Sequence, residues 1–266
     1  MRKYSTRRGV LGAVLVGGLM FAGACSSSSD DATTTTEAGG GPPKVVASTT
    51  WVGAIAKLAG ATDITVIAPT SIQHPPDYDP KASDLASLSK ADYVLLAGFE
   101  GFADRMKEAA GSDAKVLMVM PDYDPKMVSA EVTKLAKEWG TTDVAAKNVE
   151  DYTERCNEDS AKVKEATSKQ PQTVVAQKFA AGWAAFAGYQ VAGTFGPEPI
   201  TASQVAELSG LKPTLVFENS HMPGGSEIAS SSGAKMVGLV NFPGEDLELP
   251  PVLDINATAI TEAVGG

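Results

Sequence analysis

The chain is poor in the residues that most often carry chemistry. Among its 266 residues there are two histidines and two cysteines, and aromatic residues make up 6%. No nucleophile elbow, phosphate-binding loop, dinucleotide fingerprint or Cys-x-x-Cys pair is present, so nothing in the sequence supports an enzyme. Basic residues are outnumbered: 22 Lys and Arg face 32 Asp and Glu, a formal net charge of −10. No basic patch with interleaved aromatics occurs, which argues against nucleic acid as a partner and against general adhesion to anionic lipid. Apolar runs are short as well. The longest, Val10 to Ala24, is below the roughly 20 residues needed to span a bilayer.

What is there begins with an export pattern. Arg2, Lys3, Arg7 and Arg8 form a basic start, the run from Val10 to Ala24 is apolar and small, and Cys25 follows at once. Residues 1–24 therefore read as a signal peptide. Ala22-Gly23-Ala24-Cys25 resembles a bacterial lipobox, with Ala22 where Leu is usual, and implies lipidation at Cys25. Thr6-Arg7-Arg8-Gly9-Val10-Leu11 resembles a twin-arginine export signal, so the choice between general and twin-arginine export stays open. Removing the four signal cations leaves a net charge of −14. With Cys25 lipidated, Cys156 has no intrachain partner, and no disulfide framework is possible.

Residues 25–43 read as a disordered tether. From Ser26 to Pro43 the composition is Ser, Asp, Thr, Glu, Gly and Pro with Ala as the only apolar residue, too little to offset the entropy of ordering. Its 18 residues reach roughly 60 Å when extended. A globular body on such a leash is expected at the outer face of a bacterial cell membrane, held there by its lipid.

From Lys44 onward, strand-like and helix-like segments alternate, the pattern of an α/β fold with largely parallel sheets. Strands are expected at Lys44–Ser48, Ile64–Ala68, Tyr93–Ala97, Lys115–Met120, Thr173–Ala176, Gln190–Gly193, Thr214–Phe217 and Lys235–Val240. Helices are expected at Trp51–Ala59, Pro80–Lys90, Ser129–Trp139, Ala180–Ala187, Ala202–Leu208, Ser226–Ser232 and Leu253–Val264. The polar stretch Thr142–Ser168, free of Gly and Pro, predicts a helix of about 40 Å, too long for a compact crossover. It reads as a spine (141–170) joining an N-terminal lobe (44–140) to a C-terminal lobe (171–266). No internal repeat is detectable.

His74 and His221 each follow a strand-like segment, one in each half. Ligands of open α/β sheets sit at the carboxyl ends of strands. Two imidazoles and Glu218, converging from facing lobes, make a plausible zinc shell.

The body resembles the solute-binding proteins of zinc and manganese ABC importers. The resemblance is carried by Ser48-Thr49-Thr50-Trp51-Val52, by Asp77-Tyr78-Asp79-Pro80 with Asp84-Leu85 and Ala91-Asp92, and by Gly98 and Glu100. Gly193-Thr194-Phe195-Gly196-Pro197-Glu198-Pro199 with Gln204-Val205-Ala206-Glu207-Leu208 is its most specific part. Val216-Phe217-Glu218 and Ser232-Gly233-Ala234-Lys235 complete it. The family's usual ligands are three His, or two His and a Glu, with one Asp. Here the first His slot holds Pro76, with His74 two residues earlier. The remaining slots fall on Met120, Gln177 and Asn241. Gln and Asn are neutral donors and bind zinc poorly on their own. The resemblance therefore implies a monomeric extracytoplasmic binding lipoprotein that captures zinc, another transition metal or a metal complex between its lobes. The expected site is His74, Glu218, His221 and Gln177, with Met120 and Asn241 weaker. An ABC permease with its ATPase is the implied partner, and no catalytic cofactor is expected. Two other readings stand beside it: the same scaffold holding a non-metal solute, lined by Trp51, Phe99 and Trp183, and a surface adhesin or metal-sequestering protein without a transporter.

Overall fold

The computed structural model describes residues 43–265. The signal peptide, Cys25 and all of the tether but Pro43 lie outside the described residues. None of the described helices is long and apolar enough to cross a membrane.

Two four-stranded sheets, all parallel, share one connectivity. The first contains β1 (Lys44–Ala47), β2 (Asp63–Val66), β3 (Tyr93–Leu96) and β4 (Lys115–Met118), in the order β2-β1-β3-β4. The second contains β5 (Val174–Gln177), β6 (Val191–Phe195), β7 (Leu215–Asn219) and β8 (Lys235–Leu239), in the order β6-β5-β7-β8. The duplication that sequence comparison misses is thus present in topology.

The helices α1 (Thr50–Leu58), α2 (Ala82–Leu85), α3 (Ala103–Ala109) and α4 (Pro125–Trp139) belong to the first lobe. The second has α6 (Gly182–Phe186), α7 (Ala202–Gly210), α8 (Ser226–Ser232) and α9 (Pro250–Gly265). Between them runs α5 (Thr142–Thr167), 26 residues and about 39 Å long. Beyond shifts of element ends, two segments differ from expectation. Pro80–Lys90 is not one helix: α2 gives way to a 3₁₀ turn over Ala86–Lys90, where Ser87 and Ser89 bond back to nearby carbonyls. Helix α3 has no counterpart in the sequence reading. It buries only Ala103 and Met106 and lacks a side-chain cap, so its signal is faint.

Strand side chains alternate between two apolar layers, as a sheet covered on both faces requires. In β1, Val45 and Ala47 face the layer shared with α1, α4, α5 and α9, while Val46 faces Phe102 and Met106. In the second lobe Val174, Ala176, Leu215 and Phe217 join that same shared layer, and Val175 and Val216 pack on Ile228 and Phe195. Spine residues Ala145, Tyr152, Cys156 and Val163 lie within it, so one continuous core runs under both sheets. Buried Asp159 of α5 pairs with Arg155 and Lys162, and Arg155 also reaches Asp254 of α9, tying the spine to the closing helix.

Candidate metal site and adjoining cavity

The loops that follow β2, β4, β7 and β8 meet at one cleft between the lobes. Loops of the two lobes are bonded across it. Gln73 Nε2 donates to the Ser220 carbonyl at 2.7 Å, and the Gln73 carbonyl lies 3.0 Å from His221 Nδ1. Tyr123 donates its hydroxyl to the Asn241 carbonyl at 3.0 Å. Thr70 donates to Glu245 at 3.1 Å, and Lys57 donates to the Asp246 carbonyl at 2.7 Å.

His221 sits on the loop after β7. A carbonyl oxygen only accepts, so Nδ1 carries the proton in the bond to Gln73, and Nε2 is left with its lone pair. That Nε2 is buried and has no hydrogen-bond partner. The ring stands edge-on to Phe242, centroids 4.9 Å apart. Burial pushes the imidazole below its ordinary pKa; the Gln73 carbonyl opposes this, and the neighbouring His74 adds to it. The ring is therefore neutral, the form that ligates metal.

His74 precedes the turn Pro75–Asp77 in the loop after β2. Its Nδ1 is 2.9 Å from Asp77 Oδ2, an acceptor, so Nδ1 carries a proton here too. A histidine whose far nitrogen is fixed by an oxygen acceptor is how proteins orient imidazole toward a metal. Both histidines have this arrangement, and the acceptor for each comes from the single segment Gln73–Asp77.

The other expected ligands have defined surroundings. Gln177, 2% exposed at the end of β5, uses both ends of its amide: Nε2 donates to the Met222 carbonyl at 2.8 Å and Oε1 accepts from Asn219 N at 3.0 Å. Asn219 Oδ1 in turn accepts from His221 N at 2.9 Å. Glu218 Oε2 accepts from Gly224 N and Gly225 N at 3.0 and 2.9 Å. Gln177, Asn219 and Glu218 thereby shape the loop that presents His221. Asn241 donates from Nδ2 to the Phe179 carbonyl at 3.2 Å, while its Oδ1 is buried without a partner. Met120 is 56% exposed and lines a separate cavity. Among the described residues no three His, Cys, Asp or Glu side chains come together as a metal-binding group. Gln73, Asp77 and Asn219 are not among the expected site residues, although Gln73 and Asp77 lie on either side of His74.

The adjoining cavity has a volume of about 550 Å³ and is walled by Trp51, Phe99, Tyr123, Phe179, Trp183 and Phe186, with Met120 at its edge. An unbroken series of ring contacts links it to His221. Phe242 lies edge-on to Trp51, Trp51 stacks on Tyr123 at 5.1 Å, and Trp183 bridges Tyr123 and Phe186.

A family model described as ZnuA, zinc-uptake complex component A, periplasmic, matches residues 45–212. No curated protein matches the chain. Among solved structures, the SBP FpvC from Pseudomonas aeruginosa in complex with Ni2+ is 17% identical with a TM-score of 0.64, covering 83% of this chain and 96% of that one. An Mn-bound periplasmic metal-binding protein from Candidatus Liberibacter asiaticus is 14% identical with a TM-score of 0.61, covering 83% and 98%. A ZnuA deletion mutant with zinc bound is 19% identical with a TM-score of 0.62, covering 84% and 98%. At these identities the likeness is one of fold: two parallel α/β lobes about one long helix.

Proposed function

The chain belongs to the ZnuA family of periplasmic zinc-uptake components, and from that premise we propose that it captures a transition-metal ion with His74 and His221 and delivers it to an ABC permease. Members of the family are non-enzymatic transport components. The observation that carries the proposal is the paired orientation of the two imidazoles. Each has Nδ1 on an oxygen acceptor, and the His221 Nε2 is buried with nothing else to bond. Asn241 Oδ1, also buried and unpartnered, is the best-placed third donor by chemistry. Gln177 and Glu218 act by positioning the His221 loop.

This shell supplies no carboxylate, so the charge of a divalent ion is left to the outer groups and solvent. Imidazole suits zinc, nickel and copper, whereas manganese depends on carboxylate oxygens. Zinc and nickel should therefore bind more tightly than manganese. Structures of similar fold hold nickel, manganese or zinc, which is consistent with a metal as cargo. Export, lipidation at Cys25 and a single-chain carrier complete the proposed role; Cys25→Ala should release the protein from membranes, and retention of that variant would sink the anchor.

Calorimetric titration of metal-free protein tests the site. His74→Ala and His221→Ala should each weaken zinc or nickel binding at least roughly tenfold. Absence of zinc, nickel, copper and manganese binding by the wild type overturns the metal reading. Full affinity in both variants would place the metal elsewhere.

A further inference from the structure

We propose that the aromatic cavity beside the histidines is a second binding site, for a flat aromatic carboxylic acid. This goes beyond the metal reading and does not rest on it, since none of the proposed metal donors lines the cavity.

Size is the first argument. A volume of about 550 Å³ is far larger than any ion needs and falls in the range of small-molecule sites. The second is where apolar surface is left in water. Phe99, Met120 and Phe179 are 45%, 56% and 50% exposed, and all three border this one cavity. Behind them stand the indoles of Trp51 and Trp183 and the ring of Tyr123, already packed face and edge on one another. Rings accept a further ring in offset or edge-on contact, so a flat aromatic solute fits this wall better than an aliphatic one.

Charge at the rim supplies the acid. Asp122, Asp124, Lys164 and Lys178 all border the cavity. The two carboxylates are engaged with backbone. Asp122 Oδ1 accepts from Tyr123 N and Asp124 N at 2.6 and 2.8 Å, and Asp124 Oδ1 accepts from Lys126 N and Met127 N at 2.8 and 3.4 Å, capping α4. Lys164 and Lys178 form no ion pair with any described residue, whereas neighbouring Lys162 pairs with Asp159. These bonds fix the two carboxylates on their own loop without cancelling their charge, so the lining carries two charges of each sign, and the two lysines, outside any ion pair among the described residues, are the cations left to meet a ligand carboxylate. Trp51 adds a donor: its indole Nε1 is buried without an acceptor.

The test is calorimetric titration of the full chain, freed of metal by chelation and dialysis, with 2-naphthoate and indole-3-acetate as probes. Cyclohexanecarboxylate and 2-naphthalenemethanol serve as the non-aromatic and uncharged counterparts. Both aromatic acids should bind, and both counterparts should bind several-fold more weakly. Phe99→Ala and Phe179→Ala, on exposed side chains, should each cost roughly three- to tenfold. Lys164→Met with Lys178→Met should erase the preference for the acid over the alcohol while the protein melts as the wild type does. No binding of either aromatic acid at millimolar concentration overturns the proposal. So does wild-type affinity in both Phe variants, or equal binding of acid and alcohol by the wild type.

Discussion

In the N-terminal lobe the backbone at the end of the central strands is held by a buried carboxylate; in the C-terminal lobe the same position is held by a neutral amide. The ladders make the comparison exact in register. Ala47 pairs with Leu95 in the first sheet, and Ala176 pairs with Phe217 in the second. Ser48 therefore corresponds to Gln177, and Ala97 to Asn219. In the second lobe Gln177 reaches across and accepts from Asn219 N directly. Ser48 is too short for that reach. Glu100, 5% exposed, folds back instead, accepting from Ala97 N at 2.9 Å, from Gly98 N at 2.7 Å and from the Ser48 hydroxyl. One topology thus tolerates two solutions to the same backbone donor. The charged solution serves a lobe whose loop carries an exposed aromatic, Phe99; the neutral one serves the loop that carries His221.

The largest effect should come from breaking the charged lock. Glu100→Ala leaves two backbone N–H groups and a buried hydroxyl without their acceptor, and should cost about 3 kcal/mol of stability in denaturant unfolding. A loss below about 1 kcal/mol would mean that solvent replaces the carboxylate and that burial here is incomplete.

Cys156 reports on the spine that joins the lobes. Its thiol is buried against the Tyr123 carbonyl, Sγ to O 4.0 Å, and burial pushes its pKa up from 9.0 to about 11. Only the thiolate reacts, so at pH 8 a thiol reagent should label the folded protein roughly 100-fold more slowly than the urea-unfolded one. The folded rate should climb about tenfold per pH unit until near the raised pKa. If Glu100→Ala speeds labelling while Gln177 variants do not, the spine senses the first lobe more than the second.

Gln177→Ser tests the neutral lock by giving the second lobe the short residue of the first without its glutamate. Asn219 N and the Met222 carbonyl lose their partners, a cost of about 2 kcal/mol. The His221 loop is loosened with them, so metal affinity should fall together with stability. Unchanged stability would show that the amide is dispensable and that Glu218 alone holds the loop through Gly224 and Gly225.

How far these features can be read in the sequence follows from what produces them. Alternation of apolar segments reveals both lobes, and an uninterrupted polar helix reveals the spine, because burial and periodicity are local patterns. The start of α4 is four residues earlier than its apolar pattern suggests, although Asp124 and Pro125 form a recognisable cap and first turn. The scarcity of histidine directs attention to His74 and His221. What orients them is not local. Gln73 serves His221 through a backbone carbonyl, which every residue possesses, and through an amide that crosses to the other lobe. The correspondence of Ser48 with Gln177 is likewise invisible until the strands are paired.

The smallest expected effect separates orientation from ligation. His74 is oriented by a side-chain carboxylate, Asp77, and His221 by a backbone carbonyl that no side-chain substitution removes. Asp77 is largely solvent-exposed, so its bond to His74 contributes little to folding. Its effect belongs to the metal. An anion on the far nitrogen raises the basicity of the ligating one and fixes the ring, and loss of such a partner typically weakens metal binding about tenfold or somewhat more. Asp77→Asn retains an amide oxygen that still accepts from Nδ1 but removes the charge. It should therefore weaken zinc or nickel binding several-fold, less than His74→Ala, and leave the unfolding midpoint unchanged. Asp77→Ala should weaken it further. Equal affinity in all three proteins would show that Asp77 does not tune the His74 imidazole, and the two lobes would then differ in whether the far nitrogen of their histidine matters to the metal.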